Sequence, residues 1–133
     1  MDPAQRLERL DQALERLEDA GPEALILVEG IRDAEALSEL GVHTPVRVYN
    51  QGRPMLEVAE SLRGEKRVIV LFDWDRKGGQ LTRLLKEQLG ATHRLDFEIR
   101  RELAIVSLVK CVEDLPHARR TLLKRIAAVD EGV

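Results

Sequence analysis

Two short acidic patterns hold the chemistry this sequence can offer: Glu29 followed by Gly30, and Asp73 and Asp75 on either side of Trp74. Asp73 and Asp75 stand two apart, so in an extended chain both side chains leave on one side, with Cα atoms roughly 6–7 Å apart. Carboxylates so spaced can share one hard cation or hold it through water. Mg²⁺ suits them, because it takes oxygen ligands, keeps several waters and is held by one or two carboxylates plus substrate phosphates. Mn²⁺ is the other ion that such an oxygen set admits. Without a cation the clustered carboxylates repel and raise each other's pKa. The competing role is helix capping ahead of Gly78, although a cap needs one aspartate and not two in alternation. Trp74 points the other way and is expected to pack under the helix that follows. Gly30 has no Cβ, which lets backbone or phosphate approach Glu29 closely.

These residues need strands to carry them. Ala24 to Val28 is a continuous apolar run ended by Glu29, and Arg67 to Phe72 is another that runs directly into Asp73. Val46 to Tyr49 reads as a short strand followed by an Asn-Gln-Gly turn, and Leu108 to Val112 as a last strand ending at Glu113 and Asp114. Between them lie helical patterns over 33–40, 54–62, 78–89, 97–107 and 116–129, with residues 130–133 as a frayed tail. The helix over 78–89 places Leu81, Leu84, Leu85 and Leu89 on one face, and Asp96 is expected to cap the next. Strands apolar on both faces and separated by helices imply a mostly parallel sheet between helical layers. The expectation is an α/β, three-layer, Rossmann-like fold with four strands, over residues 23–133. Residues 1–22 add an amphipathic helix capped by Asp2-Pro3, with Leu7, Leu10, Leu14 and Leu17 as its stripe. The stripe covers the core or serves a homodimer through this helix. No linker or repeat divides the chain, so one domain is expected.

Composition narrows the partners. No apolar run reaches the roughly 18 residues of a membrane span, so no membrane partner is expected. A single cysteine, Cys111, rules out an internal disulfide and fits a reducing cytoplasm, and with three scattered histidines it argues against a zinc site. Residues 1–29 hold eight acids against three bases, while 30–133 hold 16 against 18. The main body thus tolerates a nucleic-acid partner without the basic excess of a strong binder. Aromatic residues at 3% argue against a stacking platform for single strands.

In open parallel sheets ligands sit beyond the carboxyl ends of the strands, at a topological switch point. Here those ends carry Glu29, Asp73, Asp75, Glu113 and Asp114, and no serine or cysteine nucleophile. Arg32, Arg53, Arg76 and Lys77 fall in or beside loops at the same edge, where they bind phosphate oxygens or remain solvated charges. Gly52 would let its loop approach a substrate. Asp33 caps a helix N-terminus or supports the ligands. Asp114 caps the final helix or contacts metal. Arg119, Arg120, Lys124 and Arg125 make a basic stretch on that helix, a solvated face or a nucleic-acid contact.

The runs Leu-Val-Glu-Gly at 27–30 with Asp33, and Val-Leu-Phe-Asp-Trp-Asp at 70–75 followed by Gly78, resemble the two signature motifs of the Toprim family, found in topoisomerases, primases, small nucleases and short standalone proteins. The resemblance spans residues 23–112, and the 43 residues separating Glu29 from Asp73 fit a compact, standalone member. It implies that Glu29 is a general acid or base that also reaches the metal, and that Asp73 and Asp75 hold Mg²⁺. Gly30, Asp33, Gly78 and Asp114 would support them. The chain has no tyrosine nucleophile domain and no room for a primase's accessory parts, so strand passage and priming are not expected. The leading reading is Mg²⁺-dependent, nuclease-like phosphodiester chemistry on RNA or DNA. The alternative is a nucleic-acid or nucleotide-binding module that acts within a larger assembly. A phosphoacceptor receiver fits less well, since Val28-Glu29-Gly30 offers one acid where a pair is expected. A haloacid-dehalogenase-type phosphatase would carry its aspartates on the first strand, and no Gly-rich Lys-Ser/Thr loop indicates a P-loop hydrolase.

Overall fold

A computed structural model describes residues 1–49 and 52–131. Asn50 and Gln51 of the expected turn, and Gly132 and Val133 of the expected tail, lie outside the described residues.

The first helix, α1 (Pro3–Asp19), opens with a reciprocal cap: Asp2 Oδ1 accepts from the Gln5 N–H at 2.8 Å, and Gln5 Oε1 accepts from the Asp2 N–H at 3.1 Å. The chain then runs through β1 (Ala24–Val28), α2 (Ile31–Glu39), β2 (Val46–Val48), α3 (Met55–Ser61), β3 (Arg67–Val70), α4 (Arg76–Leu89), β4 (Leu95–Asp96), α5 (Glu98–Val106) and α6 (Leu115–Glu131). The four strands are parallel in the order β2-β1-β3-β4. Ile26 is the hub of the register, opposite Val46 on one side and Ile69 on the other.

Alternation along the strands divides the core into two layers. Ile26, Val28, Ile69 and Leu71 pack with α1, α2, α5 and α6, while Leu25, Leu27, Val68, Val70 and Phe72 pack with α3 and α4. Each fully buried aliphatic side chain contributes about 1.5–3 kcal/mol relative to exposure, so these two layers fix the strand positions firmly. The α1 stripe is buried inside the chain: Leu10, Leu14 and Leu17 lie against α5 and α6. In this chain the stripe therefore covers the core. Two ion pairs draw on the basic stretch of α6. Arg119 grips Asp11 of α1 through a fork of 2.9 and 3.1 Å, and Arg120 pairs with Glu39 at 3.2 Å.

Four expectations need correction. Residues 108–112 are not a strand; the fourth strand is Leu95–Asp96, which pairs with Val68 and Ile69. Leu108 adopts a left-handed φ of 64°, which breaks extension, and Val112–Asp114 winds into a 3₁₀ turn. The segment still runs beside the end of β3, accepting the Trp74 N–H at the Lys110 carbonyl, 3.0 Å. Trp74 does not pack under α4. It joins the opposite layer and its indole N–H donates to the Val109 carbonyl at 2.6 Å. Leu84 is not core but 39% exposed, and residues 130 and 131 continue α6.

Candidate functional site

β1 delivers Glu29 one residue past its last ladder position, and the extension of β3 through Leu71 and Phe72 delivers Asp73 beside it. The chain leaves β1 for β2 on one side and later returns to β3 on the other. The cleft between β1 and β3 is therefore the switch point of the sheet. Glu29 is only 7% exposed, and its Oε2 accepts the Asp73 N–H at 2.6 Å, joining the two motifs directly. Asp73 Oδ1 accepts the Val112 N–H at 3.0 Å. Asp75 does cap α4, its Oδ1 accepting the Gly78 N–H at 2.7 Å. Each of the three carboxylates thus has one oxygen held by backbone. Glu29 Oε1, Asp73 Oδ2 and Asp75 Oδ2 accept no backbone N–H among the described residues, and the Glu29 and Asp73 carboxyls lie within hydrogen-bonding reach of each other.

Supporting residues lock this arrangement. Asp33 is buried with both oxygens occupied, by the Gly30 N–H at 3.1 Å and the Glu113 N–H at 3.1 Å, so it braces the site rather than offering a free ligand. Gly78 is required sterically: a Cβ there would lie 1.9 Å from the Asp73 carbonyl oxygen. Gly30 has open space instead, with Asp33 Oδ2 the nearest atom at 3.9 Å from a built Cβ. Asp114 accepts the Cys111 thiol at 3.0 Å, and it is Glu113, not Asp114, that borders the acidic recess.

The acids also shift one another. Burial first, then the charge of Glu29, a hydrogen bond shared with its carboxyl and the charge of Asp75, push Asp73 up to about 7 against the lowering effect of the Val112 N–H. Burial and the Asp73 charge push Asp33 up to about 6. Facing them is a residue the sequence reading missed. Arg100 donates from Nε to the Phe72 carbonyl at 2.8 Å and from Nη2 to the Asp73 carbonyl at 2.7 Å. Burial lowers its pKa, and the charges of Glu29, Asp73 and Asp75 oppose that. Its spacing of three residues before Leu103 sets it beside the apolar stripe of α5, which in sequence does not distinguish it from an ordinary helix-surface charge.

Two recesses meet at Glu29. One, about 350 Å³, is lined by Gly30, Arg32, Asp33, Asp73 and Glu113, among others. The second, about 380 Å³, is lined by Tyr49, Gly52, Lys77, Gln80, Leu81 and Leu84 together with Glu29. Of the four cations named from sequence, Arg32 and Lys77 border these recesses. Arg32 pairs loosely with Glu113 at 3.4 Å, Arg53 pairs with Glu57 at 3.7 Å, and Arg76 is exposed at the start of α4.

The model of the Toprim domain matches residues 24–104, which contain both acidic motifs and all four strands. The chain belongs to the Toprim family. A UPF0292 protein of Thermococcus sibiricus is 36% identical over 115 residues, covering 84% of this chain and 89% of its own. One of Pyrococcus furiosus is 32% identical over 127 residues, covering 94% and 95%. A solved structure of a putative protein from Aquifex aeolicus is similar with a TM-score of 0.69 and 31% identity, over 79% of this Toprim chain and 96% of that one. Toprim domains bind divalent metal ions and associate with nucleic acids. The donors here fit such an ion: all are carboxylate oxygens, and crowding holds Asp73 protonated more readily than an ordinary aspartate. Among the described residues no three His, Cys, Asp or Glu side chains form a ready cage.

Proposed function

We propose that this Toprim protein hydrolyses a phosphodiester in RNA or DNA, with Mg²⁺ held by Asp73 and Asp75 and Glu29 as general acid or base. The observation that carries the reading is the 2.6 Å hydrogen bond from the Asp73 N–H to Glu29 Oε2, which sets the acidic motifs of two strands into one unit at the switch point. A bound divalent ion would neutralise phosphate charge and lower the pKa of a coordinated water. Asp73 and Asp75 would hold it through Oδ2, the oxygens that the Val112 and Gly78 N–H groups leave free. Glu29 is anchored by Oε2, so Oε1 is the atom that takes or returns a proton. Arg100 fixes the backbone of the β3 extension and places Asp73 without touching substrate. Arg32 and Lys77, on opposite sides of Glu29, are placed to bind phosphate oxygens.

A second reading is a nucleic-acid-binding module without independent catalysis. It is favoured by the two aspartates each having one oxygen taken by backbone, which weakens metal binding by the chain alone. One assay separates the two. Purified full-length protein is incubated with a panel of single-stranded and structured RNAs and DNAs in Mg²⁺ or Mn²⁺. Cleavage that Asp73→Asn and Glu29→Gln each abolish, at unchanged far-ultraviolet circular dichroism, supports hydrolysis. Binding without cleavage across the panel supports the module.

A further inference from the structure

The recess between α4 and the loop entering α3 is unlike the acidic one that it adjoins. Leu81, Leu84 and Tyr49 are the apolar members of its lining, and Gln80, Lys77 and Glu29 the polar ones. Leu85 and Leu89 already supply the core contacts of α4, and both are buried. Leu81 is half-buried and packs against that core with one side, while Leu84 is 39% exposed. An apolar wall left open beside a charged site has a use only if part of the ligand covers it. Its volume of about 380 Å³ falls within the roughly 300–1,000 Å³ of small-ligand clefts.

What covers it follows from Glu29 being shared. A phosphate at the acidic recess puts the next chemical group of its chain within reach of the apolar one. In a nucleic acid the group with apolar faces and a hydrogen-bonding edge is the base. Apolar side chains cover the faces of an extruded base, and an amide such as Gln80 reads its edge with a donor and an acceptor. A base stacked and paired in a duplex cannot enter such a recess, whereas an unpaired or splayed one can. We infer that this recess takes the unpaired base of the nucleotide flanking the phosphate held at Glu29 and Asp73, which makes the substrate single-stranded or locally unpaired at that position. The inference rests on the phosphodiester reading above for the placement of the phosphate.

The test uses the full chain with labelled leucine methyl groups, titrated with adenosine 5′-monophosphate and, separately, with ribose 5-phosphate. The Leu81 and Leu84 methyl resonances are expected to move with the nucleotide and to stay still with the sugar phosphate. Leu84→Asn, which adds no charge, should weaken nucleotide binding by about tenfold or more, from the loss of apolar contact, and leave ribose 5-phosphate binding unchanged. Gln80→Ala, a change on the exposed surface of α4 that keeps the fold, should weaken it several-fold. Equal binding of the two probes, no binding of either, or methyl resonances that do not move overturns the recess. Base-dependent binding in a protein that cleaves nothing supports the recess and overturns the nuclease. Cleavage of a fully paired duplex as fast as of the same single strand supports the nuclease and overturns the recess.

Discussion

Asp73 is half-buried among Glu29, Asp75 and Asp33, and its carboxyl titrates near 7 in the fold against an ordinary value of 3.8. Between those two values the folded chain holds a proton that the unfolded chain has released, so stability falls as pH rises through the window. Asp33, raised to about 6, adds a change of the same sign. Metal-free protein should therefore melt higher at pH 5 than at pH 8, by roughly 2–5 °C, a modest amount because solvent screens a half-exposed carboxylate. Asp73→Asn should flatten most of that slope, and Mg²⁺ should raise the melting temperature at pH 8 more than at pH 5, where protons compete for Asp73. Scanning calorimetry reads all three. The two glycines separate structure from function at the same scale. Gly78→Ala must displace the Asp73 carbonyl and should cost about 2 kcal/mol in urea unfolding. Gly30→Ala meets open space in an extended backbone, so its stability should stay within about 0.5 kcal/mol while nucleic-acid binding weakens.

The elements divide into those that carry ligands and those that hold the carriers. β1 and the β3 extension bring the acids, and α5 holds the β3 extension through Arg100. Arg100→Ala should leave two backbone carbonyls without their guanidinium donor and cost about 1–3 kcal/mol. Arg100→Lys cannot rebuild the two-pronged grip and should recover little of it. If Arg100 only positions Asp73, both variants should raise the Mg²⁺ concentration for half-maximal binding, read by calorimetry. The segment 107–114 also belongs to the site rather than to the sheet. Its backbone supplies the Val112 N–H to Asp73, the Glu113 N–H to Asp33 and the Val109 carbonyl to Trp74.

Across the whole molecule, charge sets how the chain meets a polyanion. Acids dominate residues 1–29, and of them α1 lies on the layer of α5 and α6, away from α3 and α4. Arg119 and Arg120 of α6 are already paired within the chain. Arg32 and Lys77 remain at the recesses beside Glu29. With two such phosphate contacts, the logarithm of the affinity for a single strand should fall against the logarithm of salt with a slope of about −1 to −2, measured by fluorescence anisotropy. A slope of several units more would place the nucleic acid on another face. Among the described residues no helix is long and apolar enough to cross a membrane.

The three-layer α/β fold and the convergence of Glu29 with Asp73 were legible in the sequence, because both depend on local periodicity. Apolar runs that end in acids define strands and their carboxyl edges, and parallel order brings those edges together. The capping of α4 was legible only as an alternative, since two aspartates in alternation do not say which one turns back to the Gly78 N–H. Three features were decided by tertiary structure alone. Leu108 to Val112 has the composition of a strand, yet a single left-handed residue and the hydrogen-bonding demands of Asp73, Asp33 and Trp74 make it a brace. Arg100 reads as an ordinary helix-surface charge until the β3 carbonyls lie next to it. Leu81 and Leu84 share a helical period with the core leucines, and only the approach of Tyr49 and Gly52 makes them part of the lining of a recess. Periodicity fixes which residues share a face, but which faces are covered depends on partners distant in the chain.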